Sequence, residues 1–227
     1  IFYQQNVISK IPIDKSHALF AENMKTCEAF GLLYRNYYAA SKALLNAAGA
    51  KQYINEDVLL RESILRDLKT VDQFLSKHGL RLFVLSGYRH PELQRLITIE
   101  VEKRRGKAVV ETMFANAAYY VPHASGAVFD IEFWDEKEQK MLPTKTPKGF
   151  GRYSLENIDG LSYEEAYIRG NRRLIHNVLS TNFLLEAERR FIPHPFEYWH
   201  YGRNERLSAF FSRGDENQHA VFYEQIY

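Results

Sequence analysis

The chain has 227 residues, of which 45% are hydrophobic and 14% are aromatic. This length is enough to bury the core of one α/β or α+β domain, and two domains are not required. The net charge of +2 does not call for a nucleic-acid partner, and we expect none, and no apolar run reaches the roughly 20 residues of a membrane-spanning helix. Cys27 is the single cysteine, which excludes an internal disulfide.

The sequence does not decide in which cellular compartment the protein lies. A single cysteine fits a reducing compartment without excluding a periplasmic one. The sequence begins at Ile1 and not at a methionine, which leaves room for a removed export signal. We therefore keep both the cytoplasm and the periplasm as expected locations, and we make no prediction of the oligomeric state.

The first third of the chain carries two helical patterns. Apolar and aromatic residues recur at steps of three and four from Ser16 to about Ala50, which predicts one long helix or two shorter ones. The same spacing predicts a helix from about Asn55 to His78, and Gly79 is suited to end it. Residues 1–79 are therefore expected to form a mostly helical N-terminal part.

The middle of the chain alternates between strand and helix patterns. Residues 80–86 predict a buried strand, and the turn that follows leads to Pro91, a favoured first residue of a helix that runs to about Lys103. Residues 126–134 predict a second strand, which returns through Met141 after a polar turn. A core that follows the N-terminal part is expected from residue 80 to residue 203.

The last third begins with a loop over residues 143–160, rich in glycine, proline and asparagine. Ser162 and Glu165 fit a capping box that opens a helix, and residues 196–201 alternate as a strand beside the earlier one. The predicted fold class is α+β, with a small, mainly antiparallel sheet flanked by helices. We expect residues 1–227 to form a single domain.

Two clusters of polar residues indicate a metal site. His123 precedes Asp130 by seven residues, and Glu197 precedes His200 by three. A catalytic zinc site needs about three protein ligands and an open position for water, and neutral imidazoles with one carboxylate suit it. Gly126 allows a loop that carries His123 to fold back over a strand that carries Asp130. His200 would come from a neighbouring strand.

Glu197 is the candidate base of this site. It lies three residues before His200, so it can approach a metal-bound water without being a ligand itself. Each of these residues also has a structural explanation, because a single histidine among aromatic residues is more often packed than ligating. Glu197 could pair with Arg203, and Arg89 could bridge carboxylates of the core. The combination of the two clusters, and neither one alone, favours the metal site.

The clusters resemble the motifs of a zinc peptidase family that contains the D-alanyl-D-alanine dipeptidases of vancomycin resistance and the D,D-carboxypeptidases. The family pattern is Ser-x-His-x-x-Gly-x-Ala-x-Asp, followed by Glu-x-x-His with a tryptophan before the histidine. The residues that match it are His123, Gly126, Asp130, Glu197, Trp199 and His200. Upstream, Gly87-Tyr88-Arg89 matches the Gly-Tyr-Arg turn of the family. The resemblance covers roughly residues 80–203.

The resemblance implies a reaction and roles for the site residues. One zinc ion per chain would be held by His123, Asp130 and His200, and a zinc-bound water would attack a peptide bond. Glu197 would take the proton of that water and pass it to the leaving amine. Arg89 would donate hydrogen bonds to the scissile carbonyl and stabilise the oxyanion. The protein is therefore predicted to be a zinc-dependent hydrolase of the metallopeptidase class.

The substrate implied by the resemblance is a small D-amino-acid dipeptide, with D-Ala-D-Ala as the first candidate, or a peptidoglycan-derived peptide. A dipeptide presents a free ammonium and a free carboxylate. Glu156 and Asp159 in the loop are candidates for binding the ammonium. Ser86 and Tyr88, in and beside the Gly-Tyr-Arg turn, are further candidate substrate contacts.

Two positions depart from the family pattern, and they leave the sub-family open. Val121 stands where the family has a serine beside the substrate, and Val128 stands where it has an alanine. Ser86 before the turn is typical of the carboxypeptidases, whereas the dipeptidases often have an aspartate there. The Tyr198-Trp199 pair before His200 is closer to the dipeptidases.

Three alternatives remain beside the dipeptidase. The first is a D,D-carboxypeptidase that acts on peptidoglycan stem peptides. The second is a non-catalytic module that binds cell-wall peptides, although such a module would need neither Glu197 nor Arg89. The third is a non-haem iron oxygenase, which also uses two histidines and one carboxylate. Its usual His-x-Asp spacing on an all-β fold differs from the spacing and the helices expected here.

Overall fold

The computed structural model describes residues 8–41, 49–108, 110, 120–145, 162–181, 184–194 and 197–211. The strands are β1 (Met24–Thr26), β2 (Leu33–Tyr34), β3 (Leu59–Arg61), β4 (Leu80–Ser86), β5 (Val128–Asp135), β6 (Lys140–Met141), β7 (Ile192–His194) and β8 (Glu197–Gly202). The α-helices are α1 (Tyr37–Ala40), α2 (Glu62–Ser76), α3 (Pro91–Arg105), α4 (Tyr163–His176) and α5 (Arg206–Phe211). Helices and strands are mixed along the chain, which confirms the predicted α+β class.

The main sheet has six strands. Its order is β2-β4-β5-β8-β7, and β6 pairs with β5. The pairing of β2 with β4 is parallel, and all its other pairings are antiparallel. A separate two-stranded sheet joins β1 to β3. The prediction of a small, mainly antiparallel sheet flanked by helices is confirmed.

The sheet has one apolar face and one polar face at its centre. Alternate residues of a strand point to opposite faces. In β5, Phe129, Ile131 and Phe133 are fully buried in the main core, to which the inner side of α2 also belongs. Asp130 and Glu132 therefore lie on the other face of the same strand. This face carries the polar residues that the sequence singled out.

The predicted helix over residues 16–50 is wrong for the part that the structure describes. Residues 16–41 form two short 3-10 turns, the strands β1 and β2, and the single turn α1. Gly31 interrupts the pattern with a left-handed backbone (φ 63°). The Cys27 N–H donates to Val58 O at 2.9 Å, so backbone pairing with a distant segment replaces local helical bonds. Residues 42–48 lie outside the described part of the chain.

The second predicted helix is confirmed in type but begins later. Leu59–Arg61 pairs with β1 as a strand, so the helix starts at Glu62 and ends at Ser76. The predicted helix from Pro91 and the capping box of Ser162 and Glu165 are both present. The mostly helical character expected for residues 1–79 is wrong for the described residues, where α2 is the one helix longer than a turn. The other described segments there are the strands β1, β2 and β3, short helical turns and the connections between them.

None of the described helices combines the length and the apolar character that would let it cross a membrane.

Candidate metal centre

Strand register places the three predicted ligands together. Asp130 of β5 lies opposite His200 of β8 and, on its other side, opposite Ser86 of β4. The pairing with β4 shifts by one residue between Val84 and Ser86. Such a bulge re-aims a side chain without ending the strand pair. It places Ser86, and not its neighbour, beside Asp130.

His123 reaches the same place from a tight turn before β5. It lies in the 3-10 turn Pro122–Ser125, which Gly126 ends with a left-handed backbone (φ 71°). A Cβ at Gly126 would lie 2.8 Å from the sulfur of Met24, so packing as well as backbone conformation favours glycine there. The buried Arg61 donates from Nε to Ser125 O at 3.0 Å and fixes the turn from outside.

His123, Asp130 and His200 form a compact set of donor atoms. One ligand atom from each residue lies within 4.8 Å of the others. Asp130 Oδ2 is 3.5 Å from His123 Nε2, and Asp130 Oδ1 is 3.3 Å from His200 Nδ1. His123 Nδ1 lies 2.8 Å from Gly87 O. A hydrogen bond from Nδ1 to this carbonyl leaves the Nε2 lone pair free for a metal.

The side chains fit a metal ion. Two imidazoles and one carboxylate are a common catalytic zinc set, and they leave an open coordination position. Asp130 Oδ1 is buried and has no hydrogen-bond partner among the described residues, although it faces His200. Buried polar atoms are normally satisfied, so an oxygen in this position is suited to a bound cation. His123, at 3% exposed, and His200, at 8%, are largely shielded from water.

The charges of this cluster are strongly coupled. Burial raises the pKa of Asp130, but His123 and His200 outweigh it and hold the pKa well below the usual carboxyl range. Burial lowers the pKa of His200, but the nearby carboxylates of Asp130 and Glu197 outweigh it and raise the pKa to about 10. Burial and the adjacent Arg89 lower the pKa of His123. His200 must therefore release a proton when it binds a metal.

Glu197 lies at the edge of the set. Its Oε2 is 3.2 Å from His200 Nδ1, and its side chain is 23% exposed. Burial raises the pKa of Glu197, but the hydrogen bond and charge of His200 outweigh it, so the net pKa is lowered. A carboxylate that is ionised, partly open to solvent and next to a metal-binding imidazole can accept a proton.

Arg89 occupies the opposite side of Asp130. Its Nη2 is 3.7 Å from Asp130 Oδ2 and donates to Ser86 Oγ at 3.3 Å. Its Nη1 donates to Gln94 Oε1 at 2.6 Å. Arg89 is 7% exposed, and its Nε has no hydrogen-bond partner among the described residues. The guanidinium is therefore held next to the metal-ligand set with its Nε–H unused.

The candidate substrate residues divide into three groups. Ser86 is buried and contacts Arg89 directly. Tyr88 is partly buried, its N–H donates to Leu59 O at 2.7 Å, and burial raises the pKa of its hydroxyl. Glu156 and Asp159 lie outside the described residues, and their assignment remains a prediction.

Sequence reasoning missed three side chains around the site. Gln94 lies in the helix predicted from Pro91, is 2% exposed and accepts a hydrogen bond from Arg89. His194 lies opposite Glu197 across the β7–β8 pair, with Nδ1 3.9 Å from Glu197 Oε2. Tyr38 lies within the segment for which the sequence predicts a helix from Ser16 to about Ala50, and its ring lies against Arg89. In the sequence, only the short spacings from Arg89 to Gln94 and from His194 to Glu197 could have indicated these contacts.

Comparisons with known proteins do not show a family for this chain. A scan of protein-family models and a search of curated proteins found no match. A solved structure that resembles part of the chain is that of the LD-carboxypeptidase LdcB, described in terms of peptidoglycan recognition. The sequence identity is 15%, the TM-score is 0.37, and the match covers 67% of this chain and 63% of that one. The function is therefore inferred from the side chains of the site.

Proposed function

We propose that the protein is a zinc metallopeptidase that hydrolyses D-alanyl-D-alanine to D-alanine. The observation that carries this proposal is the placement of Glu197 and Arg89 on either side of the His123, Asp130 and His200 set. Glu197 lies 3.2 Å from His200, and Arg89 lies 3.7 Å from Asp130. A metal site that only stabilises the fold would need neither a partly open carboxylate nor a buried arginine with an unused donor.

The side chains around the proposed metal centre can divide the steps of peptide hydrolysis between them. When bound, a zinc ion supplies Lewis acidity that activates water and polarises the scissile carbonyl. Glu197 accepts a proton from the attacking water and later donates it to the leaving amine. Arg89 directs N–H donors at the carbonyl oxygen as negative charge develops there. Gly87 O orients His123 by accepting its Nδ1–H.

Glycine at position 87 is needed for this arrangement. A Cβ there would lie 2.4 Å from Leu59 O and 2.9 Å from Val58 Cγ1. These distances are shorter than any real Cβ contact, so a side chain would displace β3 or the turn. The turn that carries the Gly87 carbonyl and Arg89 is therefore packed directly on β3. The close packing of the Gly87-Tyr88-Arg89 turn on β3 thus helps to place Arg89 and His123 at the same site.

The test compares substrates and one variant. Zinc-loaded protein is incubated with D-Ala-D-Ala and, separately, with a peptidoglycan pentapeptide that ends in D-Ala-D-Ala, and free D-alanine is measured. We expect D-alanine from the dipeptide. In Glu197→Ala we expect zinc to be retained and turnover to be near zero.

Four other results would contradict the proposal or part of it. D-Alanine released from the pentapeptide alone would make the protein a carboxypeptidase. Zinc binding without hydrolysis of either substrate would favour a non-catalytic module. Loss of zinc in Glu197→Ala would make Glu197 a ligand, and normal turnover would remove it from the mechanism.

A further inference from the structure

Tyr38 lies against Arg89 although the two residues are far apart in sequence. The Arg89 Cζ is 4.3 Å from the centroid of the Tyr38 ring. At this distance a guanidinium and an aromatic face attract each other, most strongly where water is excluded. Arg89 is 7% exposed, so the contact is largely shielded from water. The ring therefore belongs to the immediate surroundings of the proposed site.

The backbone holds Tyr38 in this position. β2 pairs in parallel with β4, where Tyr34 lies opposite Val84, and the Arg35 N–H donates to Val84 O at 3.0 Å. Asn36 then caps the turn α1, because its Oδ1 accepts the Tyr38 N–H at 3.1 Å. The Asn36 side chain is itself anchored, since its Nδ2 donates to Asn55 O at 2.7 Å. Tyr38 is thus fixed relative to the strand that ends just before Arg89.

The hydrogen bonds of Arg89 do not fix the tilt of its guanidinium plane, which the Tyr38 ring restricts. Gln94 and Ser86 bind the terminal nitrogens of the guanidinium, whereas Nε has no partner among the described residues. Hydrogen bonds to the terminal nitrogens fix the position of the guanidinium edge, but they allow the plane of the group to tilt. A ring 4.3 Å from Cζ restricts the tilt as well. Burial raises the pKa of Tyr38 to about 12, so the ring stays neutral at working pH.

We propose that Tyr38 is a positioning residue for the reaction, whose ring holds the Arg89 guanidinium in the orientation that reaches the scissile carbonyl. The kinetic part of this proposal rests on the proposed peptidase function, and the geometric part does not. Only the ring is required, so the phenol hydroxyl is dispensable. Tyr38 also packs beside the small apolar cluster of Ala50, Leu93 and Ile97. The experiment must therefore separate positioning from packing.

Three variants make this separation. Tyr38→Phe keeps the ring, Tyr38→Leu removes it but keeps an apolar side chain, and Tyr37→Leu is the matched control. Tyr37 is the neighbour on the same turn and is 57% exposed. We expect Tyr38→Leu to lower kcat about tenfold to thirtyfold with little change in KM. Tyr38→Phe and Tyr37→Leu should stay within about twofold of the wild type.

A double variant tests whether the effect passes through Arg89. If the ring acts only on the guanidinium, Tyr38→Leu should add no further loss once Arg89 has become alanine. Additive losses would show that Tyr38 acts on the fold or the substrate independently and would overturn the proposal. A loss in Tyr38→Phe as large as in Tyr38→Leu would assign the effect to the hydroxyl and would overturn it too.

Crystal structures of the Tyr38 variants decide the geometric part without any activity. The Arg89 guanidinium should keep its place in Tyr38→Phe and turn away from Asp130 in Tyr38→Leu. An unchanged guanidinium in Tyr38→Leu would overturn the proposal. A wild type that hydrolyses none of the peptides would contradict the proposed function alone, because the position of Arg89 would still be measured.

Discussion

The metal-ligand set and the surroundings of Arg89 are built in different ways. Asp130 and His200 are direct neighbours across two strands, and His123 stands one turn before β5. Arg89, in contrast, is held by Ser86 from a strand end, Gln94 from a helix and Tyr38 from the N-terminal part. Pairing of β5 with β8 joins the first group from two distant parts of the chain, whereas the second combines the short segment around Arg89 with one distant aromatic ring. Substitutions in the metal-ligand set should therefore lower the zinc content, whereas substitutions around Arg89 should lower kcat without loss of zinc.

The largest effect is expected from Asp130→Asn. Asp130 is the one carboxylate between the two imidazoles, and an amide is a far weaker ligand that carries no charge. Zinc content measured by elemental analysis should fall from one ion per chain to near zero, together with turnover. Glu138→Gln is a control, because Glu138 is an exposed carboxylate in the turn after β5. Full zinc content in Asp130→Asn would remove Asp130 from the ligand set.

Arg89→Ala should lower kcat without loss of zinc. Loss of one oxyanion donor costs about 10² to 10³ in rate. Arg89→Lys should recover little of this, because an ammonium cannot bond Gln94 and Ser86 in the fixed planar geometry of a guanidinium. Steady-state kinetics with matched zinc analysis would check both variants. A fall in zinc content parallel to the fall in kcat would mean that the two regions are not separable.

Gln94→Leu should give a smaller loss of the same kind. It removes the hydrogen bond from Arg89 Nη1 while nearly preserving the side-chain volume. Hydrogen bonds to charged groups contribute about 1.5–3 kcal/mol, so a tenfold to hundredfold fall in kcat is expected at constant zinc content. Gln73→Leu, on the exposed side of α2, is the control. Wild-type kcat in Gln94→Leu would show that this bond does not fix Arg89.

The smallest effect is expected on stability, from the hydrogen bond that joins Tyr120, three residues before His123, to Glu205, five residues after His200. Glu205 accepts hydrogen bonds from the Tyr120 hydroxyl and from the Leu207 and Ser208 N–H groups. Burial raises the pKa of Glu205 more than these bonds lower it. A raised folded-state pKa favours the protonated form. The stability contribution is therefore complete below the unfolded pKa of about 4.3 and is lost as pH rises through the folded value.

Chemical denaturation of wild type and Glu205→Gln across pH 4 to 8 measures this contribution. The free energy of unfolding of the wild type should fall relative to the variant as pH rises. The relative slope should not exceed about 1.4 kcal/mol per pH unit, the limit for one proton. A difference between the two proteins that stays constant over this range would contradict the raised pKa.

The site was more predictable than the fold around it, for physical reasons. Within each cluster, His123 and Asp130, and Glu197 and His200, are separated by short spacings that motif reasoning could recognise, and the pairing of β5 with β8 joins the two clusters. The helix predicted over residues 16–50 failed because its apolar spacing arises from packing against the core. There, pairing with β3 and β4 decides the backbone. Tyr38 was invisible as a site residue for the same reason.

Two further side chains show the same limit. Gln94 looks like a surface residue of an amphipathic helix, and only the folded chain reveals that it is buried against Arg89. The alignment of Ser86 with Asp130 depends on a one-residue shift of register, which alternation along the strand does not predict. Residues that act through contacts between distant segments need the tertiary structure to be recognised.

The measurement that tests the central claim most directly is an anomalous difference map at the zinc absorption edge, from crystals grown with zinc. The account predicts one peak per chain, at about 2.0–2.2 Å from His123 Nε2, Asp130 and His200 Nδ1. Glu197 should lie beside the peak without bonding to it. A peak bonded to Glu197, a peak at another group of residues, or no peak in zinc-soaked crystals would contradict the proposed metal centre.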